Sequence, residues 1–249
     1  MQVEIVACLT DNYAYLIKDG SQVAVVDPSE AEPVGRALDR LGWEPQFILN
    51  THHHNDHVGG NLALKQAYGA TIVGPGSDRA RIPGLDIGVD ERSGWQFAGR
   101  DVEILEVPGH TRGAIAFVIR GHAFTGDTLF ALGCGRLFEG DPPMMWKSLS
   151  KLMRLADRTP IYCGHEYTER NGRFALTVEP GNPALNARMS QVAALRAEGR
   201  PTIPSTMGVE KQTNPFLRPH SPEIRRRLGL AASADVEIFA EIRRRKDCF

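Results

Sequence analysis

The segment LNTHHHNDHVGG, residues 49–60, places four of the chain's eight histidines and one aspartate within six consecutive positions. His52 and His54 lie two residues apart, so on an extended backbone their side chains project to the same side while His53 points away. Asp56 and His57 follow where the chain turns into the next helix. One extended pair cannot close a metal site, so a third nitrogen has to come from elsewhere, and His110 is the obvious candidate. A second ion could use Asp56, His57 and His165, with the Asp127 carboxylate bridging the two. Water would then fill the open positions that distinguish catalytic from structural sites. Nitrogen and oxygen donors without a thiolate suit zinc, the expected metal of both sites, and suit iron or manganese as well. A solitary His110 or His165 would read as a satisfied core histidine; H-x-H-x-D-H at a strand end, with three further donors downstream, does not. His53, His122 and His220 are left without a role.

These donors need a scaffold. Short β-rich runs at Val3–Ala7, Tyr13–Ile17 and Val23–Val26 lead into Asp27-Pro28-Ser29, a turn and helix-start signal, and a helix over 30–41 stopped by Gly42. PQFILN, residues 45–50, contains an apolar run without alternation, as for a strand buried on both faces. A helix from Val58 to Tyr68 and a strand over 70–73 follow. Three later strands repeat one design: VEILEV runs into PGHT, AFT into GDT and PIYC into GHE. With the histidine cluster, four strand ends each deliver a potential ligand to the place where a rigid sheet meets an open crevice. The pattern predicts a sheet-on-sheet core with helices outside. After residue 166 turn-rich pieces separate helices, including 221–229 with Ser221 as cap, Pro222 in the first turn and Gly229 as stop. A last helix over 234–245 puts Ile238, Phe239 and Ile242 on one face. This texture predicts two domains, a metal-binding catalytic one over 1–166 and a helical substrate-binding one over 167–249.

Composition narrows the class. The chain has 249 residues, 42% hydrophobic and 24% charged, with net charge −1, which fits a globular protein and argues against wholesale nucleic-acid binding. Residues 166–249 carry an excess of basic side chains and the rest an excess of acidic ones, a difference a small anionic ligand could use. MQVEIV has Glu4 where a secretory apolar core would begin, and no apolar stretch reaches spanning length. A soluble, cytoplasmic monomer without membrane or nucleic-acid partners is expected. Cys8, Cys134, Cys163 and Cys248 are dispersed, as for free thiols that are not ligands.

THHHNDHVGG resembles the signature of the metallo-β-lactamase superfamily. GDTLF (126–130), GCGRLFEG (133–140), CGHEYT (163–168), NPFLR (214–218) and RRRKD (243–247) are similar to glyoxalase II, the hydroxyacylglutathione hydrolases, over nearly the whole chain. The resemblance implies an α+β fold, an αββα metallo-β-lactamase-like sandwich with a small C-terminal α-helical domain. It implies two divalent metal ions, one on His52, His54 and His110, the other on Asp56, His57 and His165, with Asp127 between them. The implied reaction converts S-D-lactoylglutathione and water to glutathione and D-lactate, and Asp56, His54 and Asp127 form the expected catalytic set.

In that chemistry a hydroxide shared by the metals attacks the thioester carbonyl, because bound zinc brings the pKa of water from about 15.7 to about 7. A thiol of pKa about 8.5 leaves as thiolate without a strong acid. Glutathione carries two carboxylates and one ammonium, which calls for a few fixed cations. Arg243 and Lys246, i and i+3 on the last helix, could meet one carboxylate together; a solvated run at a helix C-terminus is the plain alternative. The resemblance makes them the glutathione-contacting pair and adds Tyr167 and Arg136. Some family members have Lys where Arg136 stands and an aromatic hydroxyl where Phe138 stands, departures that bear on affinity more than on chemistry. Other superfamily hydrolases, a single-iron sulfur dioxygenase and an inactive metal-binding scaffold are the competing readings, and the complete donor set argues against the last two.

Overall fold

The computed structural model describes residues 1–249. Two compact units divide the chain, residues 1–106 with 113–126, and residues 107–112 with 127–249.

In the first unit β1 (Gln2–Cys8), β2 (Asn12–Asp19) and β3 (Gln22–Val26) form an antiparallel meander. Helix α1 (Ala31–Leu41) then crosses over to β4 (Phe47–Leu49), which runs parallel to β3. After α2 (Asn55–Val58) and α3 (Asn61–Tyr68) come β5 (Thr71–Pro75) and β6 (Ile87–Val89), completing a sheet in the order β1 to β6. Strands β7 (Trp95–Phe97), β8 (Arg100–Glu106), β9 (Ile115–Ile119) and β10 (His122–Gly126) form a second, antiparallel run.

Strand alternation sorts the core. Leu16, Val25, Ile48 and Ile72 lie in register across four strands and join Val34 and Leu38 of α1 and Leu64 of α3 in one cluster. Side chains on the other face meet the second sheet: Phe47 packs edge-on against Trp95 at 5.3 Å and Tyr15 against Phe124 at 5.6 Å. FIL is apolar at consecutive positions because both faces of β4 are covered, and each fully buried large side chain contributes about 1.5–3 kcal/mol.

The expected helix over 58–68 is instead two. Gly59 and Gly60 lie between them at right-handed angles, φ −60° and −81°, and have no room for a side chain: a Cβ at Gly59 would lie 2.5 Å from the Ser29 carbonyl oxygen and one at Gly60 2.9 Å from that of Pro28. The Gly60 N–H donates to Pro28 O at 2.8 Å. The Asp27-Pro28-Ser29 turn thus lies directly against the start of α3, an approach that any side chain would block.

The second unit opens with a tight hairpin of β11 (Leu129–Phe130) and β12 (Gly133–Cys134), then α4 (Pro142–Leu152), whose Asp141 cap accepts from Met144 N at 2.9 Å. Next come β13 (Pro160–Cys163), α5 (Thr168–Val178) and α6 (Pro183–Ala197). Strand β14 (Ser205–Thr206) pairs antiparallel with β13, and α7 (Met207–Thr213), α8 (Pro222–Leu228) and α9 (Asp235–Asp247) complete the chain. Ser221 caps α8 and Gly229 closes it at φ 74°, as the sequence predicts. An aromatic core joins Phe174 to Phe216 and Phe216 to Phe239, and Ile238 and Ile242 are fully buried beside it.

Candidate metal centre

Within the first unit the histidine segment leaves the end of β4 and caps α2. His54 occupies the cap position in extended conformation, and the N–H of His57 returns to its carbonyl at 2.8 Å. This turn brings the rings together: His52 lies 4.8 Å from His54 and 4.2 Å from His57, centroid to centroid. His57 Nε2 is 3.8 Å from Asp56 Oδ2, and Asn12 Nδ2 donates to that same oxygen at 3.1 Å. His53 points elsewhere, as alternation requires, with Nδ1 3.0 Å from Asp78.

Sequence reasoning missed Asp27, which it reads as a turn residue. Asp27 is buried in the left-handed region at φ 48° and gathers three contacts. Its Oδ1 accepts from Thr51 N at 2.8 Å, while Oδ2 accepts from Thr51 Oγ1 at 2.6 Å and lies 3.1 Å from His57 Nδ1. Because the Thr51 hydroxyl proton goes to Asp27, its oxygen is left to accept from His52 Nδ1, 3.0 Å away. Asp27, His52 and His57 lie close enough to be taken for a ligand trio, but the Asp27 oxygens are committed to donors. It orients both imidazoles through Nδ1, His57 directly and His52 by way of Thr51, and so leaves Nε2 of each as the candidate ligand atom. The available signal was an aspartate directly after a buried strand, one strand away from the histidines.

Within the second unit Asp127 follows β10, His165 follows β13 and His110 sits in the 107–112 loop. Asp127 Oδ2 lies 3.4 Å from His110 Nε2 and 3.3 Å from His165 Nε2, so one carboxylate oxygen faces two imidazole nitrogens. His110 Nδ1 donates to Arg136 O at 2.8 Å, which fixes its tautomer. Tyr167 stacks on His165 at 4.7 Å, nearly parallel at 6°. Burial pushes the Cys134 thiol up to about 11 and that of Cys163 up to about 12, so neither is a thiolate at neutral pH.

Residues 9–165 match the family model described as "Metallo-beta-lactamase superfamily" and residues 166–249 that described as "Hydroxyacylglutathione hydrolase C-terminus". The hydroxyacylglutathione hydrolase of Methylococcus capsulatus is 53% identical, covering 100% of this chain and 99% of that one. The chain belongs to the hydroxyacylglutathione hydrolase family. The relative of that name from Chelativorans sp. is 51% identical over the same shares of both chains. Among solved structures, ETHE1 from Myxococcus xanthus shares the fold, with TM-score 0.70 and 24% identity over 98% of this chain and 90% of that one. TTHA1623, described in a di-iron-bound form, is 26% identical with TM-score 0.61, covering 87% of this chain and 100% of that one. The expected α+β metallo-β-lactamase fold is thereby established. Family and donor chemistry together make this a binder of divalent metal ions.

The donors fit such ions. Imidazoles whose Nδ1 atoms are engaged by oxygen partners, beside carboxylates and with buried thiols kept protonated, form a nitrogen-and-oxygen set with its orienting hydrogen bonds already made.

The cations expected to hold glutathione in this hydrolase family lie in the second unit. Arg243 is no solvated helix end: it is 6% exposed, stacks over Phe216, and donates to Asp247 Oδ1 at 3.0 and 2.8 Å and to Cys134 O at 2.9 Å. Asp247 also draws Arg136 to 3.4 Å. Lys246 turns away from this group, lies over the rings of Phe174 and Phe249, and donates to Arg170 O at 3.4 Å. Burial, with Arg170, Arg243 and Arg173 adding repulsion, lowers its pKa to about 8. Arg136 and Phe138 are exposed, and Phe138 meets His110 edge-on at 5.2 Å.

Proposed function

We propose that the chain hydrolyses S-(2-hydroxyacyl)glutathione thioesters, S-D-lactoylglutathione first among them, to glutathione and the 2-hydroxy acid, D-lactate. The observation that carries this reading is the Asp127 oxygen facing two imidazoles in one unit, matched by the oriented His52, His54, Asp56 and His57 quartet in the other. In this proposal the quartet and the trio act together. His52, His54 and His110 would hold one ion, Asp56, His57 and His165 would hold the other, and Asp127 would serve both. Zinc is the preferred ion, with iron or manganese as substitutes; the di-iron form described for TTHA1623 supports a two-ion reading. Divalent ions supply a water of pKa about 7 and take up the charge that develops on a carbonyl oxygen.

The remaining work falls to side chains. Asp56, steadied by Asn12, accepts a hydrogen bond from the attacking water and orients it. Asp27 and Thr51 keep the proton of His57 and His52 on Nδ1, so that Nε2 stays a lone-pair donor. Lys246, Arg136, Arg243 and Tyr167 hold the glutathione moiety remote from the carbonyl, binding ground and transition states alike. The thiolate departs unassisted, since its conjugate acid has a pKa of about 8.5. Residues 1–166 serve as the catalytic part and 167–249 as the substrate-binding part, in a monomer. No helix is long and apolar enough to cross a membrane.

Thioester absorbance followed with purified protein and S-D-lactoylglutathione tests the proposal, with and without chelator. Turnover lost to chelator and restored by zinc supports it; absence of turnover in metal-loaded protein refutes it.

A further inference from the structure

The hairpin segment 130–136 is held along its whole backbone. Asn214, fully buried, donates from Nδ2 to Phe130 O at 3.1 Å and to Gly133 O at 2.9 Å, while its Oδ1 accepts from Phe216 N at 3.0 Å. Asn171 donates to Ala131 O at 3.1 Å, and buried Glu210 accepts from Leu132 N at 2.8 Å and from Asn214 itself at 3.0 Å. Leu132 sits in the left-handed region at φ 57°, a conformation that leucine takes only when its surroundings impose it. Beyond the turn, the Cys134 carbonyl receives Arg243 and the Gly135 N–H donates to Thr128 O at 3.2 Å.

We propose that Asn214 is a positioning residue that sets specificity for the glutathione moiety. By clamping both ends of the turn it fixes the Cys134 carbonyl on which Arg243 rests. This rests on the assignment of Arg243 to glutathione. The loop bearing His110 has its own ties, from Glu139 N to His110 O at 3.3 Å and from Gly140 N to Gly109 O at 3.1 Å. The Gly135 N–H bond to Thr128 O stands between the turn and the Arg136 carbonyl that orients His110, so loosening the turn disturbs the Cys134 carbonyl under Arg243 before it disturbs the metal ligand.

The test compares S-D-lactoylglutathione with S-D-lactoyl-N-acetylcysteamine, which keeps the reacting thioester and lacks both glutathione carboxylates, in the metal-loaded full chain. In Asn214→Ala the ratio of kcat/KM values, glutathione substrate over truncated one, falls about thirtyfold through KM, while the truncated substrate is turned over within about threefold of the unsubstituted chain. Asn171→Ala, which frees only Ala131 O, lowers the ratio in the same direction by about fivefold and carries the test should Asn214→Ala not fold. Equal loss on both substrates, or an unchanged ratio, overturns the proposal, since a merely structural asparagine would not separate them. Calorimetric binding of S-hexylglutathione is measured in parallel. Binding weakened by Asn214→Ala in a chain without thioesterase turnover would uphold this inference while removing the proposed reaction, and binding unchanged would overturn it.

Discussion

Replacing Asp27 with Asn isolates what one orienting carboxylate does for the metal centre. Asparagine tolerates the φ of 48° nearly as well as aspartate, so the backbone is spared. The hydrogen bonds are not. Asp27 accepts from Thr51 N through one oxygen, and from Thr51 Oγ1 and His57 Nδ1 through the other. An amide has one acceptor oxygen, so its NH2 must face either Thr51 N–H, donor against donor, or the Thr51 hydroxyl and His57 Nδ1. In the second orientation His57 gains by moving its proton to Nε2, the atom needed as ligand. Leaving one donor unsatisfied at a site only 2% exposed costs about 1–3 kcal/mol of stability. Loss of the orienting partner lowers metal affinity or activity about 10–100-fold, equivalent to about 1.4–2.7 kcal/mol. Competition with a chromophoric chelator measures affinity, and denaturant unfolding of the metal-free chain measures the first cost. Unchanged metal affinity in a folded Asp27→Asn protein would refute the orienting role.

His54→Ala should abolish turnover and lower metal content, as elemental analysis of the purified variant would record; full activity at full metal content would remove His54 from the ligand set. Lys246 should make KM depend on pH. With its pKa lowered to about 8, the cation is present below that value and lost above it, so KM rises as pH passes 8 in the unsubstituted chain and stays high and flat in Lys246→Met. The same shift makes folding stability increase between pH about 8 and the ordinary lysine value of 10.5, where the unfolded chain binds more protons. Glu179 is buried beneath the partly exposed Arg218, whose Nε and Nη2 donate to it at 2.8 Å each. Burial raises its pKa, but hydrogen bonds from Arg218, Ser221 and Asn182 outweigh that and hold it below the ordinary 4.5. Its stabilisation is present above that pH and lost as pH falls through the lowered value. Glu179→Gln should cost about 1–3 kcal/mol at neutral pH and flatten the acid limb of a denaturation series.

The likeness to the family, the donor types and the order of elements were legible in the chain because each depends on neighbours in sequence. Alternation separates His53 from His52 and His54, and Gly-terminated strands deliver His110, Asp127 and His165. Gly59 and Gly60 were legible as residues but not as a helix break, since what draws the Gly60 N–H out of the helix is the carbonyl of Pro28, from a segment about thirty residues away. Arg243 and Lys246, paired by helical spacing, part in the fold because Asp247 and the Cys134 carbonyl claim one and the rings of Phe174 and Phe249 the other.

The sequence by itself determined which atoms could bind metal and which strands would carry them. Only tertiary structure decided which nitrogen of His52, His57 and His110 bears the proton, and which of the basic side chains are already engaged. Tautomers and ion pairs are set by oxygens and rings that arrive from distant parts of the chain, and no local spacing records their approach.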